Sequence, residues 1–338
     1  MTIKKLAAHL GLSKSTVSRA LNGYTDVSPT TRDAVLNAAK AMGYRPNATA
    51  KRLASGKAYQ IGVLLPADSA YFVSPAFSRV LSGASDFLQQ HGYQLIVSRL
   101  ITSHDEIQKY RDFIDSGLVD GLFLVRTQYD DPRVTLLKKQ QFPFVCHGYL
   151  EMLGKQHWVD VDNQDAFYQM TKRQIDFGHQ RIAFLNGPKE LTLSKARLVG
   201  YQGAIKEANL TFDPKLVLHG QFSQVNAMDM AKTLLSLAKR PSVILCADDT
   251  MAMGTIAACE DLGYQPGVDI SIAGYGDYEH SAYSRPSITT LRYDTYQVGV
   301  SMAKQMLNQV AHMNFEVENW FQAQIISRDS DLFKPSYT

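Results

Sequence analysis

The sequence of 338 residues contains little cysteine, no long apolar run and few negative charges near its start. Its three cysteines, Cys146, Cys246 and Cys259, form no CxxC pair, so neither a disulfide framework nor a structural zinc site is indicated. No apolar run approaches the ~20 residues that a bilayer span needs, and the first residues contain no continuous apolar signal segment. We therefore expect a cytoplasmic protein without membrane contact, metal or cofactor.

The motifs of common enzyme classes are also missing. The sequence has no GxxxxGK[ST] and no HExxH, and its one GxG, at residues 274–276, lacks the third glycine of a dinucleotide-binding loop. Cys146 and His147 are neighbours in a predicted strand, so their side chains point to opposite faces and cannot act as nucleophile and base. These absences indicate that the protein is not an enzyme.

The positive charge is concentrated at one end of the chain. Residues 1–57 contain ten Lys and Arg but only two Asp, a net charge of +8, whereas the remainder has twenty-five basic and thirty acidic residues, a net charge of −5. A compact basic segment on a mildly acidic body is typical of a nucleic-acid-binding protein, although a solvated basic surface is the simpler alternative.

The first forty-odd residues follow the pattern of a helix-turn-helix. Apolar residues recur at helical spacing from Ile3 to Leu10, Gly11 can take a positive φ, and Ser13 can cap a second helix. A third helix opens at Ser28-Pro29 and would close a small core with Val35, Leu36, Ala39 and Met42. In the second helix, the side chains left facing outward are Lys14, Ser15, Thr16, Ser18 and Arg19. These suit base edges and phosphates, but a generic three-helix bundle remains possible at this point.

Two stretches carry a family resemblance, TIKKLAAHLGLSKSTVSRALNG and YRPNATAKRLASG, and it continues along most of the chain. The sequence resembles the lactose-repressor/galactose-repressor family of transcription regulators. The second stretch then corresponds to a hinge helix that pairs with its dimer mate in the minor groove, where Leu53 would wedge open a base step. Packing of Leu53 within the protein is the alternative. The predicted DNA contacts are Thr2, Lys14, Ser15, Thr16, Ser18, Arg19, Asn22, Asn47, Ala50, Arg52 and Leu53.

From Gln60 onward, apolar runs alternate with amphipathic helices, which indicates parallel sheets covered on both faces. The alternation restarts after a crossing between lobes near HWVDVDN, so we predict two doubly wound α/β lobes of the type I periplasmic-binding-protein kind together with an all-α head. The predicted domains are a helix-turn-helix head (1–45), a hinge helix and linker (46–57) and a core (58–338). Within the core, we assign 58–156 and 292–317 to the first lobe, and 157–291 and 318–338 to the second.

A ligand of such a core binds between the lobes, at the carboxyl ends of the strands. Arg126 follows the strand LFLV, His147 ends FVCH, and Asp248 follows ILCA. A sugar needs carboxylate and guanidinium partners for its hydroxyls and an aromatic plane for its apolar face. The resemblance implies a set of ligand contacts, which are Phe77, Arg126, His147, Arg197, Phe222, Asp248, Asp277 and Tyr293.

Several of these residues have a simpler interpretation. Asp248 could only cap the helix that follows it, Arg197 could form a structural ion pair, and Phe222 could belong to the core. The sequence also departs from the family, because Gly274-Tyr275-Gly276-Asp277 stands where many members have Gly-Tyr-Asp-Asp. The first aspartate is missing there, and Asp277 is its nearest substitute.

The resemblance implies a sugar-controlled repressor that acts as a homodimer on a pseudo-palindromic operator in double-stranded DNA. Two alternatives stay open, namely a regulator with a nucleobase-type corepressor and a sugar-binding protein without gene regulation.

Overall fold

The computed structural model describes residues 2–21, 24, 26–44, 55–67, 74–101 and 105–335, and the chain divides into two compact units between Ala58 and Tyr59. The described part of the first unit holds three helices, α1 (Ile3–Leu10), α2 (Lys14–Leu21) and α3 (Pro29–Ala41). Gly11, with a φ of 62°, makes the left-handed turn between α1 and α2 that the sequence predicted.

The head has a small core of its own, in which Leu6, Val17, Ala20 and Val35 are buried. Leu36, which we expected in this core, is 46 % exposed, because it lies at the edge of the apolar stripe of α3. Residues 45–54, which include most of the predicted hinge helix, lie outside the described residues.

The second unit contains two six-stranded sheets. The first sheet has the order β11-β5-β4-β3-β1-β2, formed by β1 (Gln60–Leu65), β2 (Gln94–Arg99), β3 (Gly121–Leu124), β4 (Phe144–His147), β5 (Trp158–Val161) and β11 (Trp320–Phe321). The second has the order β12-β10-β9-β8-β6-β7, formed by β6 (Ile182–Asn186), β7 (Val217–His219), β8 (Val243–Cys246), β9 (Ser271–Tyr275), β10 (Thr289–Arg292) and β12 (Gln324–Ile326). The predicted pair of doubly wound α/β lobes is confirmed.

Helices connect the strands of each lobe. Those before residue 160 are α4 (Pro75–Gln90), α5 (Glu106–Asp115) and α6 (Pro132–Lys139). Those after it are α7 (Asn163–Asp176), α8 (Thr192–Glu207), α9 (Gln224–Leu235), α10 (Asp249–Asp261) and α11 (Thr295–Val310). Apolar strand residues alternate between the faces of the first sheet: Val63 packs with the residues of α4 and α11, and Leu64 with those of α5 and α6.

The chain crosses between the lobes at places that differ in part from the predicted ones. β5 belongs to the first sheet, although we placed residues from 157 onward in the second lobe. β10 belongs wholly to the second sheet, and the last strand is divided: β11 pairs with β5, whereas β12 pairs with β10. α11, which lies within the segment 292–317 that we assign to the first lobe, packs on α4 so closely that a Cβ at Gly299 would lie 1.9 Å from the carbonyl oxygen of Val80.

The segment after β12 is fixed to the second lobe by a buried carboxylate. Asp331 accepts hydrogen bonds from Nε of Arg173 at 2.9 Å, from Nε2 of Gln174 at 3.1 Å and from Oγ1 of Thr289 at 2.7 Å. Because Asp331 is fully buried, these three donors hold the end of the described chain against α7 and β10.

The described residues form neither a membrane-spanning helix nor a cluster of metal ligands. No helix there has the length and apolar character needed to cross a membrane. No group of three or more potential metal ligands comes together among them either.

Candidate functional site

A cavity of about 300 Å³ lies between the two lobes of the second unit, where the strands of both sheets end. Seven of the eight residues that we predicted as ligand contacts line it, namely Phe77, Arg126, His147, Arg197, Phe222, Asp248 and Tyr293. The structure therefore brings together side chains that are spread over more than two hundred positions of the sequence.

Arg197 is the central cation of this cavity. It lies on α8 with a buried side chain, and it donates from Nε to Oδ1 of Asn163 at 2.8 Å and from Nη1 to the carbonyl oxygen of Ala247 at 2.7 Å. Its guanidinium also lies 4.1 Å from the ring centroid of Tyr275. None of the ion pairs formed by the described residues involves Arg197, so the structure gives no support to a structural ion pair. A guanidinium has five N–H donors, and Arg197 has used neutral acceptors for two of them.

Asp248 meets both of the interpretations that the sequence left open. Its Oδ1 accepts a hydrogen bond from the amide of Met251 at 2.7 Å, so it caps α10, and its side chain also lines the cavity. Burial is the main reason that the pKa of Asp248 is raised to about 7; the hydrogen bond from the amide of Met251 and the charge of Arg197 lower this pKa, and the carboxylate of Asp249 raises it. Asp248 therefore titrates near neutral pH.

Asp249, the next residue, has a structural role instead. Its carboxylate accepts hydrogen bonds from the amide of Tyr278, from the hydroxyl of Ser281 and from the hydroxyl of Thr290. These three bonds fix the start of α10 to the segment after β9 and to β10.

A second buried carboxylate in the cavity, Asp160, was missed by the sequence reasoning. It accepts hydrogen bonds from the amides of Tyr149 and Val161, each at 2.8 Å, and burial is the main reason that its pKa is raised to about 6. Asn163, which also lines the cavity, donates to it at 3.3 Å. The available signal was an acidic residue inside the otherwise apolar strand WVDV, which we had assigned to a crossing and not to a strand.

His147 is neutral at physiological pH. Burial and, after it, the positive charge of Arg197 lower its pKa to about 4. A neutral imidazole has one donor and one acceptor, so His147 can bond a hydroxyl group in either direction.

Aromatic rings form the apolar part of the lining. Phe222 follows β7, and the guanidinium carbon of Arg126 lies 5.6 Å from the centroid of its ring. The ring centroids of Tyr275 and Tyr293 are 5.3 Å apart. Phe77 lines the cavity from α4. Phe222 is only partly buried, so it is not simply a core residue, and its ring is one wall of the cavity.

Asp277 is the one predicted contact that the structure does not place in the cavity. Its backbone takes a φ of 49°, and its carboxylate accepts from Arg328 at 2.6 Å and from Arg292, which holds it in two ion pairs away from the lining. The substitute for the missing aspartate is therefore not Asp277.

The ring of Tyr278 takes up the space that Gly276 leaves. A Cβ at position 276, where φ is 120°, would lie 2.4 Å from Cε1 of Tyr278. Any other residue there would displace this ring, which lines the cavity. Gly276 thus provides no carboxylate at this position, and the ring of Tyr278 forms the cavity wall there.

In the head, the predicted DNA contacts form one exposed group on α2 and its surroundings. Lys14, Ser15 and Arg19 are exposed, and Thr16 and Ser18 are half-buried. Arg19 forms an ion pair with Asp26. Thr2 caps α1 through its hydroxyl, which accepts from the amide of Lys5. The remaining predicted contacts lie outside the described residues, and they are Asn22, Asn47, Ala50, Arg52 and Leu53.

Comparisons with known proteins match both units of the chain. Residues 2–47 match the family model described as bacterial regulatory proteins, lacI family, and residues 171–330 match a periplasmic binding protein-like domain. The HTH-type transcriptional regulator AglR of Rhizobium meliloti (strain 1021) is 34% identical over 338 residues, which cover 98% of this chain and 94% of AglR.

Two solved structures of regulators have a similar fold. The complex of the transcriptional regulator CelR with cellobiose matches with a TM-score of 0.74 and 26% identity, covering 98% of this chain and 99% of CelR. The lac repressor dimer bound to operator and the anti-inducer ONPF matches with a TM-score of 0.81 and 24% identity, covering 98% and 99% of the two chains. These relatives are regulators and not enzymes, which confirms the predictions of fold and of class.

Proposed function

Because the chain belongs to the lacI family of bacterial regulatory proteins, we propose that it is a cytoplasmic repressor of carbohydrate-utilisation genes whose operator affinity is controlled by a sugar in the cavity of its core. The ligand would be a neutral sugar of about disaccharide size. Arg126 and Arg197 line the cavity together with Asp160 and Asp248, so it has no large excess of either charge.

The observation that carries this proposal is the environment of Arg197. Among the described residues, the acceptors that its buried guanidinium bonds are neutral, while Asp248 and Asp160 lie in the same lining. Vicinal hydroxyls of a sugar can accept from the remaining N–H groups and donate to the carboxylates, and the ring of Phe222 can cover an apolar sugar face. A volume of about 300 Å³ is at the lower end of the range for small-molecule pockets.

The solved CelR complex contains cellobiose, a disaccharide, in a protein of the same fold. This chain is similar to CelR but differs from it in about three quarters of the aligned positions, so the identity of the sugar does not transfer. We propose the class of ligand only, and the linkage of the sugar is a matter for experiment.

For the DNA, we propose that two heads of a homodimer read the halves of a pseudo-palindromic operator through α2. The exposed side chains of Lys14 and Ser15 would contact phosphates and base edges, and Arg19 would exchange Asp26 for DNA. Leu53 and the hinge helix remain a prediction from the sequence, in which the hinge folds and enters the minor groove only in one arrangement of the two lobes.

The proposal is tested by a thermal-shift screen of the full chain against cellobiose, maltose, melibiose, glucose, galactose, guanine and hypoxanthine. A sugar at 100 times its Kd should raise the free energy of unfolding by about 2.7 kcal/mol, which gives a clear shift in Tm. The same sugar should then change the affinity for operator DNA, measured by fluorescence anisotropy. A shift with nucleobases alone would favour the corepressor alternative, and a sugar that stabilises the protein without changing DNA affinity would contradict the regulatory role.

A further inference from the structure

Outside the cavity lining, a buried pair of hydroxyl groups joins the two lobes. Thr127, three residues after the end of β3 in the first lobe, is 1% exposed, and Thr192, the first residue of α8 in the second lobe, is 5% exposed. Their Oγ1 atoms lie 2.8 Å apart, and the amide of Thr192 donates to the carbonyl oxygen of Thr127 at 3.0 Å. The two lobes are thus hydrogen-bonded to each other through both backbone and side chains at one place.

Two further contacts continue this junction. Gln128 and Leu191 form an isolated antiparallel bridge, and Nζ of Lys195 lies 4.1 Å from the ring centroid of Tyr129. We call residues 127–129 and 191–195 the interlobe clasp. Each contact in it has one partner from each lobe, so the clasp exists only while the lobes are close together.

The backbone around Thr127 is shaped for this contact. Arg126, just before it, has a φ of 52°, a conformation that a non-glycine residue adopts at a cost in energy. A Cβ at Gly148 would lie 2.1 Å from Oγ1 of Thr127, so the threonine side chain fits only because residue 148 is glycine. An incidental surface contact would not need either feature.

The clasp lies beside the cavity without being part of its lining. Neither threonine lines the cavity, but Arg126 and Leu193, their chain neighbours, do. When Thr127 and Thr192 are bonded, Arg126 is held over the ring of Phe222 in the opposite lobe. The clasp therefore places a cavity wall that a ligand would touch, while its two threonines lie outside that wall.

We propose that Thr127 and Thr192 are positioning residues that set the equilibrium between closed and open lobes, and through it the affinity of the cavity for its ligand. The inference rests on the proposed ligand site, because it concerns how that site is assembled. Removal of one hydroxyl leaves the other buried without its partner in the closed arrangement only, since opening exposes it to water. The equilibrium between the lobes then shifts toward the open arrangement. The apparent affinity for the ligand falls in proportion to the smaller population of the closed arrangement.

The test compares substitutions that remove the hydroxyl with substitutions that keep it. Thr127→Val and Thr192→Val keep the shape of the side chain and remove its oxygen, whereas Thr127→Ser and Thr192→Ser keep the oxygen. Each valine variant should bind the sugar found by the screen about tenfold more weakly in calorimetry, and each serine variant within about twofold of wild type. Thr171→Val is the matched control, because the buried hydroxyl of Thr171 donates to Phe167 within one helix of one lobe.

The double variant and the DNA provide two independent readouts. Thr127→Val/Thr192→Val leaves no unpaired hydroxyl, so its loss of affinity should be clearly smaller than the product of the two single losses. In the absence of sugar, each valine variant should shift operator affinity in the direction opposite to the effect of the sugar, because the sugar favours closure and the substitution favours opening. A merely structural defect would not produce this opposite shift.

A ligand-free measurement separates this inference from the proposed function. Spin labels on Lys139→Cys in α6 and Lys206→Cys in α8 report the distance between the lobes, and the native thiols at 146, 246 and 259 are all buried and should not label. The valine variants should show a larger population of long distances than the serine variants. If valine and serine variants give the same distances and the same sugar affinity, the clasp proposal is wrong. If no compound in the screen binds but the distances change as expected, the proposed function fails and the clasp stands.

Discussion

The two lobes of the core share one strand order and differ in what they place at the strand ends. The first lobe provides Asp160, His147 and Arg126, whereas the second provides Arg197 and Asp248 together with the rings of Phe222 and Tyr275. The edge strands differ too, since β11 runs parallel to β5 and β12 runs antiparallel to β10. A common scaffold thus carries two different sets of ligand-binding groups.

This difference indicates a division of work. The second lobe holds the buried cation, the capping carboxylate and most of the aromatic surface, so it can bind a ligand first. The first lobe adds a neutral histidine and a carboxylate that is already hydrogen-bonded by two amides. We expect substitutions in the second lobe to act mainly on affinity, and we expect contacts from the first lobe to matter once the lobes are closed.

The largest effect is expected for Arg197→Ala. It removes the cation around which the second lobe arranges its polar groups, and sugar affinity measured by calorimetry should fall by about a hundredfold or more, because hydrogen bonds to charged groups are the strong ones. Operator affinity without sugar should stay close to wild type. Arg197→Lys is the control, since it keeps the charge but loses the planar donor set. Its sugar affinity should lie between those of wild type and Arg197→Ala. Equal loss of operator binding would show that Arg197 is structural.

The next effect concerns pH and Asp248. Its folded pKa of about 7 lies above the usual value of an aspartate, so its contribution to stability is complete below about pH 4 and is lost as the pH rises through 7. Asp248→Asn keeps an oxygen for the cap of α10 and does not titrate. From pH 5 to pH 8, wild type should lose on the order of 2 kcal/mol of unfolding free energy relative to this variant.

Wild type must be compared with Asp248→Asn because other titrating groups change the unfolding free energy with pH in the opposite direction. The pKa values of His147 and His179 are lowered to about 4, so each stabilises the folded state above its unfolded pKa and loses that contribution as the pH falls. Urea unfolding of both proteins at several pH values isolates Asp248. A difference between wild type and Asp248→Asn that does not change with pH would contradict the raised pKa.

A third prediction compares two aspartates at the ends of neighbouring strands. Asp248→Asn should weaken sugar binding about tenfold, because a carboxylate that accepts from hydroxyls is replaced by a neutral amide. Asp277→Asn should leave sugar affinity unchanged and lower Tm, because Asp277 bonds Arg292 and Arg328 and lies outside the lining. Weaker sugar binding by the Asp277→Asn variant would show that Asp277 contacts the ligand after all.

The smallest effect is expected at the aromatic wall. Phe222→Leu keeps apolar volume but removes the flat ring, and sugar affinity should fall by about three- to tenfold. Phe167→Leu is a control of the same chemistry, because Phe167 is fully buried in the core of the second lobe. It should lower Tm and leave affinity unchanged. The reverse pattern would place Phe222 in the core.

Much of the fold followed from periodicity alone. Apolar spacing and capping residues predict one helix over residues 163–177 and another over 249–262, and the structure has these helices at Asn163–Asp176 and Asp249–Asp261. Pairing of short strands was less accessible. β5 and β11 have four and two residues, and only their partners across the sheet show to which lobe they belong.

The prediction of the site from the sequence had the same limits. Residues that closely follow uninterrupted apolar strands, such as Arg126 and Asp248, were found from their positions. Asp160 was missed because its strand was taken for a crossing, and Tyr278 because its ring reaches the cavity through the space above Gly276. Asp277 was misplaced since a positive φ turns its side chain toward two arginines. Such effects depend on tertiary geometry that local patterns do not contain.

The return of the chain to both lobes after β10 has a consequence for synthesis on the ribosome. The head has its own core within residues 3–42 and can fold as soon as it emerges. The first lobe cannot be completed before α11 and β11 are synthesised, nor the second before β12 and Asp331. Both lobes are therefore completed by the last fifty residues of the sequence. A premature stop codon before residue 295 would therefore leave a foldable DNA-reading head beside two unfinished lobes, and neither lobe could be separated from the other by cutting the gene at a single point.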